Sequence, residues 1–311
     1  MSGKKLEERI GQIRSLRTSS PTAGVDVILK KALADRSGLV VAEAARTTAE
    51  LRLASLIADL LTAFDKLFLD PVKSDPKCWG KTAIVKALAQ LDYSESAPFL
   101  RGARHVQMEP VYGGHEDSAI NLRANSFLAL VQCTDIRRVE ILQHLVDAMS
   151  DRADPVRVEA VRAIHQLGGD EAVLLLRLKA RLGDPEPMII GHVFDAILGL
   201  ERDRAVHFVA GYLKSADEEV RGEAALALGG SRLQAGLKVL MDAWQEARIG
   251  SFSVVLLRGI SSSRLDEAID FLLELVRSGA PGESAAALEA LRIHEDSPEI
   301  QARIKHAVQS K

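Results

Sequence analysis

The residues that could do chemistry gather in one stretch, "RGARHVQMEPVYGGHEDS", positions 101 to 118. It brings His105, Glu109, Tyr112, His115, Glu116 and Asp117 close in sequence around a flexible Gly113-Gly114 pair. Imidazole and carboxylate together suit zinc or iron, so His105, His115 and Glu116 are the metal-ligating possibility, with Tyr112 beside them. Their spacing matches no ligand motif, however, and the expectation is no bound metal and no cofactor. The plainer reading is a surface loop whose Glu116 or Asp117 caps the helix that follows. Elsewhere there is no G-x-S-x-G, no glycine-rich phosphate loop and no H-E-x-x-H, so the chain is expected not to be an enzyme. Cys78 and Cys133 lie within apolar helical patterns, without metal spacing, and are expected to be buried and inert.

Something must hold that stretch, and the chain around it repeats. "DPVRVEAVRAIHQLGG" (154–169) returns in altered form as "DEEVRGEAALALGG" (217–230). Taking the small mid-helix Ala160 as an anchor, equivalent positions fall at Ala44, Ile84, Ser126, Ile190, Ala224, Leu256 and Ala287. In chain order the eight anchors are spaced 40, 42, 34, 30, 34, 32 and 31 residues apart. A second set of amphipathic helices fills the gaps, at 137–151, 170–184, 203–217, 232–244 and 264–279. Gly168-Gly169 and Gly229-Gly230 are expected to end helices in left-handed caps, and Asp154 and Asp184 to begin them. A helix pair of this size buries too little apolar surface alone, so neighbouring pairs must complete its core.

Asp154, Pro155, Val156, Arg157, Ala160, Ala163 and Ile164 spell a pattern that resembles the HEAT repeat, in the bacterial form shared with phycobilisome-lyase-type HEAT-like proteins. Val220, Arg221, Ala224, Ala227 and Leu228 follow it, as do Leu122, Arg123, Ala129 and Leu130; Pro187 and Ser253 stand where the arginine would be. The resemblance implies an all-α, right-handed α-α superhelix, a solenoid of about eight helix pairs. It divides the chain into N-terminal capping helices (1–34), a repeat array (35–300) with the irregular insertion at 101–118, and a C-terminal cap or tail (301–311), all in one continuous domain. It also implies that Arg123, Arg157 and Arg221 serve a ladder of aspartate–arginine pairs along the stack, not a ligand.

Composition narrows the partners. The net charge is −3, the pI about 6.3 and only 4% of residues are aromatic, which disfavours nucleic acid. No apolar run approaches the ~18 residues a membrane span needs, and "MSGKKLEERIGQIRSLR" lacks a signal-peptide core. A soluble, cytoplasmic chain, monomeric in preference to an obligate oligomer, is expected. Trp79, Trp244, Phe64, Phe68, Phe194 and Phe271 sit at core spacing and are expected to pack. Two residues after each anchor stand Arg46, Lys86, Leu128, Arg162, His192, Leu226, Arg258 and Glu289, a column rich in cations and off the core stripe. In a solenoid this column lines the concave face, so Arg46, Lys86, Arg162, His192 and Arg258 are the expected partner-binding residues, suited to an acidic or helical segment of another protein. The leading function is thus a non-catalytic scaffold. The resemblance adds two others, a lyase-like accessory subunit acting on a cofactor-carrying protein and a HEAT-like DNA-binding or DNA-repair protein.

Overall fold

The structure is a computed structural model that describes residues 3–18, 24–247 and 250–310. Residues 1–2 and 19–23 of the expected N-terminal cap, and residue 311 of the tail, lie outside the described residues. Among the described residues the chain is all-α but for one small hairpin, and it forms two compact units, Met1–Leu167 and Gly168–Lys311.

In the first unit the elements run α1 (Gly3–Ser15), α2 (Val25–Leu33), α3 (Gly38–Glu50), α4 (Ile57–Lys66), α5 (Pro71–Ser74), α6 (Trp79–Gln90), α7 (Ala97–Ala103), β1 (Met108–Val111), β2 (Gly114–Asp117), α8 (Ile120–Ala129), α9 (Arg138–Ala148) and α10 (Asp154–Leu167). The helices that carry anchors form one layer, α3 packing on α6, α6 on α8 and α8 on α10. The second unit runs α11 (Gly169–Leu182), α12 (Pro187–Glu201), α13 (Asp203–Ala210), α14 (Glu218–Gly230), α15 (Gln234–Glu246), α16 (Ser251–Ser262), α17 (Asp266–Ser278), α18 (Pro281–Leu291) and α19 (Pro298–Gln309). Its anchor layer is α12 on α14, α14 on α16 and α16 on α18. All eight anchors are buried, which fixes the register of every inner helix. Among the described residues no helix is long and apolar enough to cross a membrane.

Four details of the sequence reading change. The 101–118 stretch is not an irregular loop. After the end of α7 it folds into an antiparallel hairpin in which Met108 faces Asp117 and Glu109 faces Glu116, turning at Tyr112-Gly113 with Gly113 at φ +89°. Gly168 and Gly169 do take positive φ, but Gly229 and Gly230 lie inside α14. Gly229 is there for proximity, since a Cβ on it would fall 1.9 Å from the Gly259 carbonyl oxygen of α16. The left-handed residue after α14 is instead Arg232. At the start of α10 the entry is held by Asp151, which accepts from the Ala153 amide, while Asp154 is already helical and pairs with Arg157. Asp184 does hold the entry to α12, accepting from the Glu186 amide at 2.9 Å. Finally, Phe64, Phe194 and Trp244 are buried, but Trp79 is 46% exposed. It opens α6 directly after a left-handed Lys77-Cys78 pair, which turns the helix start outward from the core.

Candidate functional site

The candidate residues fall in two regions: the exposed column of the inner helices, and the hairpin with the turn it rests on. The column comes first. In the first unit Arg46, Lys86 and Arg162 are exposed on α3, α6 and α10, with Leu128 half-buried on α8. Each sits two residues past a buried anchor, about 200° around the helix from it, so exposure here follows from the register alone.

The residue one before each anchor lies one turn from the column and decides whether the cation is free. Glu43 pairs with Arg46 at 3.3 Å, and Glu159 with Arg162 at 2.9 Å. Glu43 is itself buried and also holds Arg14 and Arg17, at 3.2 and 2.7 Å. Burial alone would raise its carboxyl pKa, but the surrounding Arg14, Arg17 and Arg46 outweigh that and hold it below the ordinary range. Lys86 differs: the residue before its anchor is Ala83, and it makes no ion pair among the described residues. It lines an open cleft of about 450 Å³ together with Asn125, Leu128, Gln132 and Gln166.

In the second unit His192 is half-buried, while Leu226, Arg258 and Glu289 are exposed. Arg258 has Val255 before its anchor and, like Lys86, no ion-pair partner among the described residues. Glu223 is the converse case, for its column partner is Leu226. Burial, then repulsion from Asp195 and Glu219, pushes the Glu223 carboxyl above its usual value.

At the hairpin the structure does not bring the metal-ligating possibility together. His105 is half-buried at the foot of the hairpin, its ring 4.8 Å edge-on from Phe68 and its Nε2 3.1 Å from the Gln107 side-chain oxygen. Burial, and to a lesser degree the nearby Lys81 ammonium, lower its pKa. Tyr112, His115 and Glu116 are exposed on the hairpin itself. Among the described residues no group of three or more His, Cys, Asp or Glu side chains is placed to hold a metal. Asp117, not Glu116, serves the next helix: it accepts from the Ala119 amide at 3.0 Å and pairs with Arg123.

Beneath the hairpin lies a buried polar knot. Asp75 and Lys81 are both wholly buried, with Nζ 3.1 Å from Oδ2. The Asp75 carboxylate also accepts the Gly80 and Lys81 amides at 2.7 and 2.9 Å, and Gly38 and Gly80 leave it room. Glu109 fastens the hairpin to this turn, its Oε1 accepting from the Lys77 amide, the Gln107 side-chain amide and the Ser118 hydroxyl. Cys78 is buried in the same turn, and burial pushes its thiol pKa up to about 11; Cys133 rises to about 12 for the same reason. Neither supplies a thiolate near neutral pH.

Lys81 escaped the sequence reading, although the signal was present. It stands three residues before the anchor Ile84, the place Arg123, Arg157 and Arg221 hold in their own repeats. Arg123 behaves as the ladder reading expects, whereas the pairs that follow for Arg157 and Arg221 lie within their own helix and that of Arg221 is to a glutamate. Arg123 bridges Asp117 and Asp151, linking α8 to the entry of α10. Arg157 pairs with Asp154 and donates to the Asp151 and Arg152 carbonyls. Arg221 pairs with Glu218 and donates to the Ser215 carbonyl.

No protein-family model and no curated protein matches the chain. Among solved structures, human deoxyhypusine hydroxylase in complex with glycerol is similar at 18% identity over 93% of this chain and 91% of that one, with a TM-score of 0.30. An engineered protein is similar at 16% identity over 99% and 95% of the two chains, with a TM-score of 0.38. A second engineered protein is similar at 19% identity over 90% and 96%, with a TM-score of 0.30. These are distant likenesses along most of the chain, and no residue's role is carried across from them.

Proposed function

We propose that the chain is a non-catalytic scaffold of the HEAT-like kind that binds another protein through the exposed face of its inner helices. The observation that supports this most is Lys86, an unpaired cation in an open cleft of about 450 Å³ whose other named walls are amides and Leu128. A cleft with one free cation, amide donors and acceptors and an apolar wall suits a peptide segment that carries a carboxylate. Arg258 offers a second free cation on the corresponding face of the second unit. The resemblance of residues 154–164 to a repeat used widely for protein binding points the same way.

The test begins with affinity purification of the intact chain and identification of what it retains. The partner is then titrated against Lys86→Glu, Arg258→Glu and the triple Arg46→Glu, Arg162→Glu, Arg258→Glu variant. Lys86→Glu is expected to weaken binding about tenfold at low salt, mainly through slower association, in a protein that melts normally. Arg46→Glu alone should do less, because Glu43 already offsets that charge. Affinity unchanged in both Lys86→Glu and the triple variant would overturn the reading.

A further inference from the structure

We infer that α11 and α13 form a second docking surface, shaped for an acidic amphipathic helix of a protein partner. Helix α11 buries Ala172, Leu176 and Ala180 on the side that packs on α12. On the other side Leu174, Leu178 and Leu182 are 67%, 55% and 76% exposed. Single exposed leucines are ordinary on a folded surface. Three at i, i+4 and i+8 form a ridge about 12 Å long at the rise of an α-helix, and a ridge of that period fits the groove of another helix.

Beside the ridge lie cations placed over an aromatic ring. The Arg177 guanidinium sits 4.4 Å from the centre of the Phe208 ring of α13, and that of Arg181 sits 5.0 Å from the same ring. A guanidinium over a ring gains a cation–π contact and can still grip a carboxylate with two N–H bonds. Arg177 is already taken by Glu201 at 2.6 Å. Arg181, and Arg204 on α13, make no ion pair among the described residues, and both line a cleft of about 340 Å³ with Phe208 and Tyr212. An apolar ridge of helical period flanked by two unsatisfied arginines calls for a helix with apolar residues every three or four positions and carboxylates beside them. An anionic bilayer would also accept leucines and arginines. Its interfacial anchors would be exposed aromatic rings, whereas Phe208 and Tyr212 here are half-buried in the cleft that Arg181 and Arg204 line.

The probe is a synthetic helix-forming peptide with leucines at i, i+4 and i+8 and glutamates on the flanking positions, titrated against the full chain by fluorescence anisotropy at low salt. Two control peptides replace every Glu by Lys or scramble the leucines. The acidic peptide should bind at least tenfold more tightly than either control. The double variant Arg181→Glu, Arg204→Glu and the single variant Leu178→Glu should each lose at least tenfold. All of these side chains are exposed, so melting curves should not move. No preference for the acidic peptide, or a preference that these variants leave intact, overturns the inference. So does binding of phosphatidylserine vesicles that Leu178→Glu abolishes while the peptide fails to bind, or self-association of the chain abolished by the same change.

Discussion

Lys81→Met tests whether the buried Asp75–Lys81 pair holds the first unit together or merely fills space. The two charges lie 3.1 Å apart with no solvent exposure. At an effective dielectric constant of about 20 their attraction is roughly 5 kcal/mol. Methionine keeps most of the side-chain volume and no longer buries an ammonium, which offsets part of that loss. Asp75 retains two backbone donors but loses its counter-charge. The net cost should be about 3–4 kcal/mol, in the range seen when one partner of a buried pair is removed. Asp75→Asn should cost about as much, because its amide NH₂ must face either a backbone N–H or the ammonium. The double variant has no buried charge and should cost less than the two singles added, by about 2 kcal/mol or more. Urea unfolding followed by Trp79 fluorescence in a Trp244→Phe background reads the first unit, since the chain has two tryptophans and Trp244 lies in the second. A Lys81→Met loss under about 1 kcal/mol, or singles that simply add, would refute the reasoning.

Ala160→Asp and Ala224→Asp each place a carboxylate at a fully buried anchor, and each should lose several kcal/mol and its cooperative helical melt by circular dichroism. Glu223 has a raised carboxyl pKa in the folded chain, so its contribution to stability is complete below the unfolded value of about 4.3 and is lost as pH rises through the folded one. Glu223→Gln should therefore melt higher than wild type at pH 7, and the gain should vanish near pH 4. Arg264 ends α16 in a left-handed conformation that costs an arginine more than a glycine, so Arg264→Gly should raise the stability of the second unit by about 0.5 kcal/mol in urea unfolding.

Much of this was legible in the sequence because a repeat tests itself. Eight anchors chosen by pattern are all buried, since a helix that must bury one stripe between two neighbours has little freedom of register. What the pattern hid were features set by single close contacts. Gly229 reads as a helix stop, yet it works as a gap through which α14 meets the backbone of α16. The left-handed turn after an inner helix recurs eight residues past the anchor at Arg52, Asp92, Gly168, Arg232 and Arg264, and only the glycine announces it. The hairpin strands "MEPV" and "GHED" carry no alternation of apolar and polar residues. They are held by Glu109 and its three donors, which lie as much as 32 residues away in sequence and leave no local period to detect.

The same logic changes how the cationic column must be counted. Arg or Lys two residues past an anchor, taken alone, makes Arg46, Lys86, Arg162 and Arg258 equivalent. A helix places the residue one before the anchor three positions earlier, within reach of an ion pair. Where that residue is glutamate and the column residue arginine, as at Glu43–Arg46 and Glu159–Arg162, the charges close on each other. Where the glutamate faces Leu226 it makes no ion pair among the described residues, and burial with repulsion from Asp195 and Glu219 raises its pKa. Where the cation faces Ala83 or Val255, it stays free. The unpaired charge of these helices therefore comes from the mismatched repeats: Lys86 in the first unit, and Arg258 and Glu223 in the second. A repeat protein that matched both positions in every unit would present a neutral inner face, so under the proposed scaffold function any preference for a charged partner must reside in the repeats that break the rule.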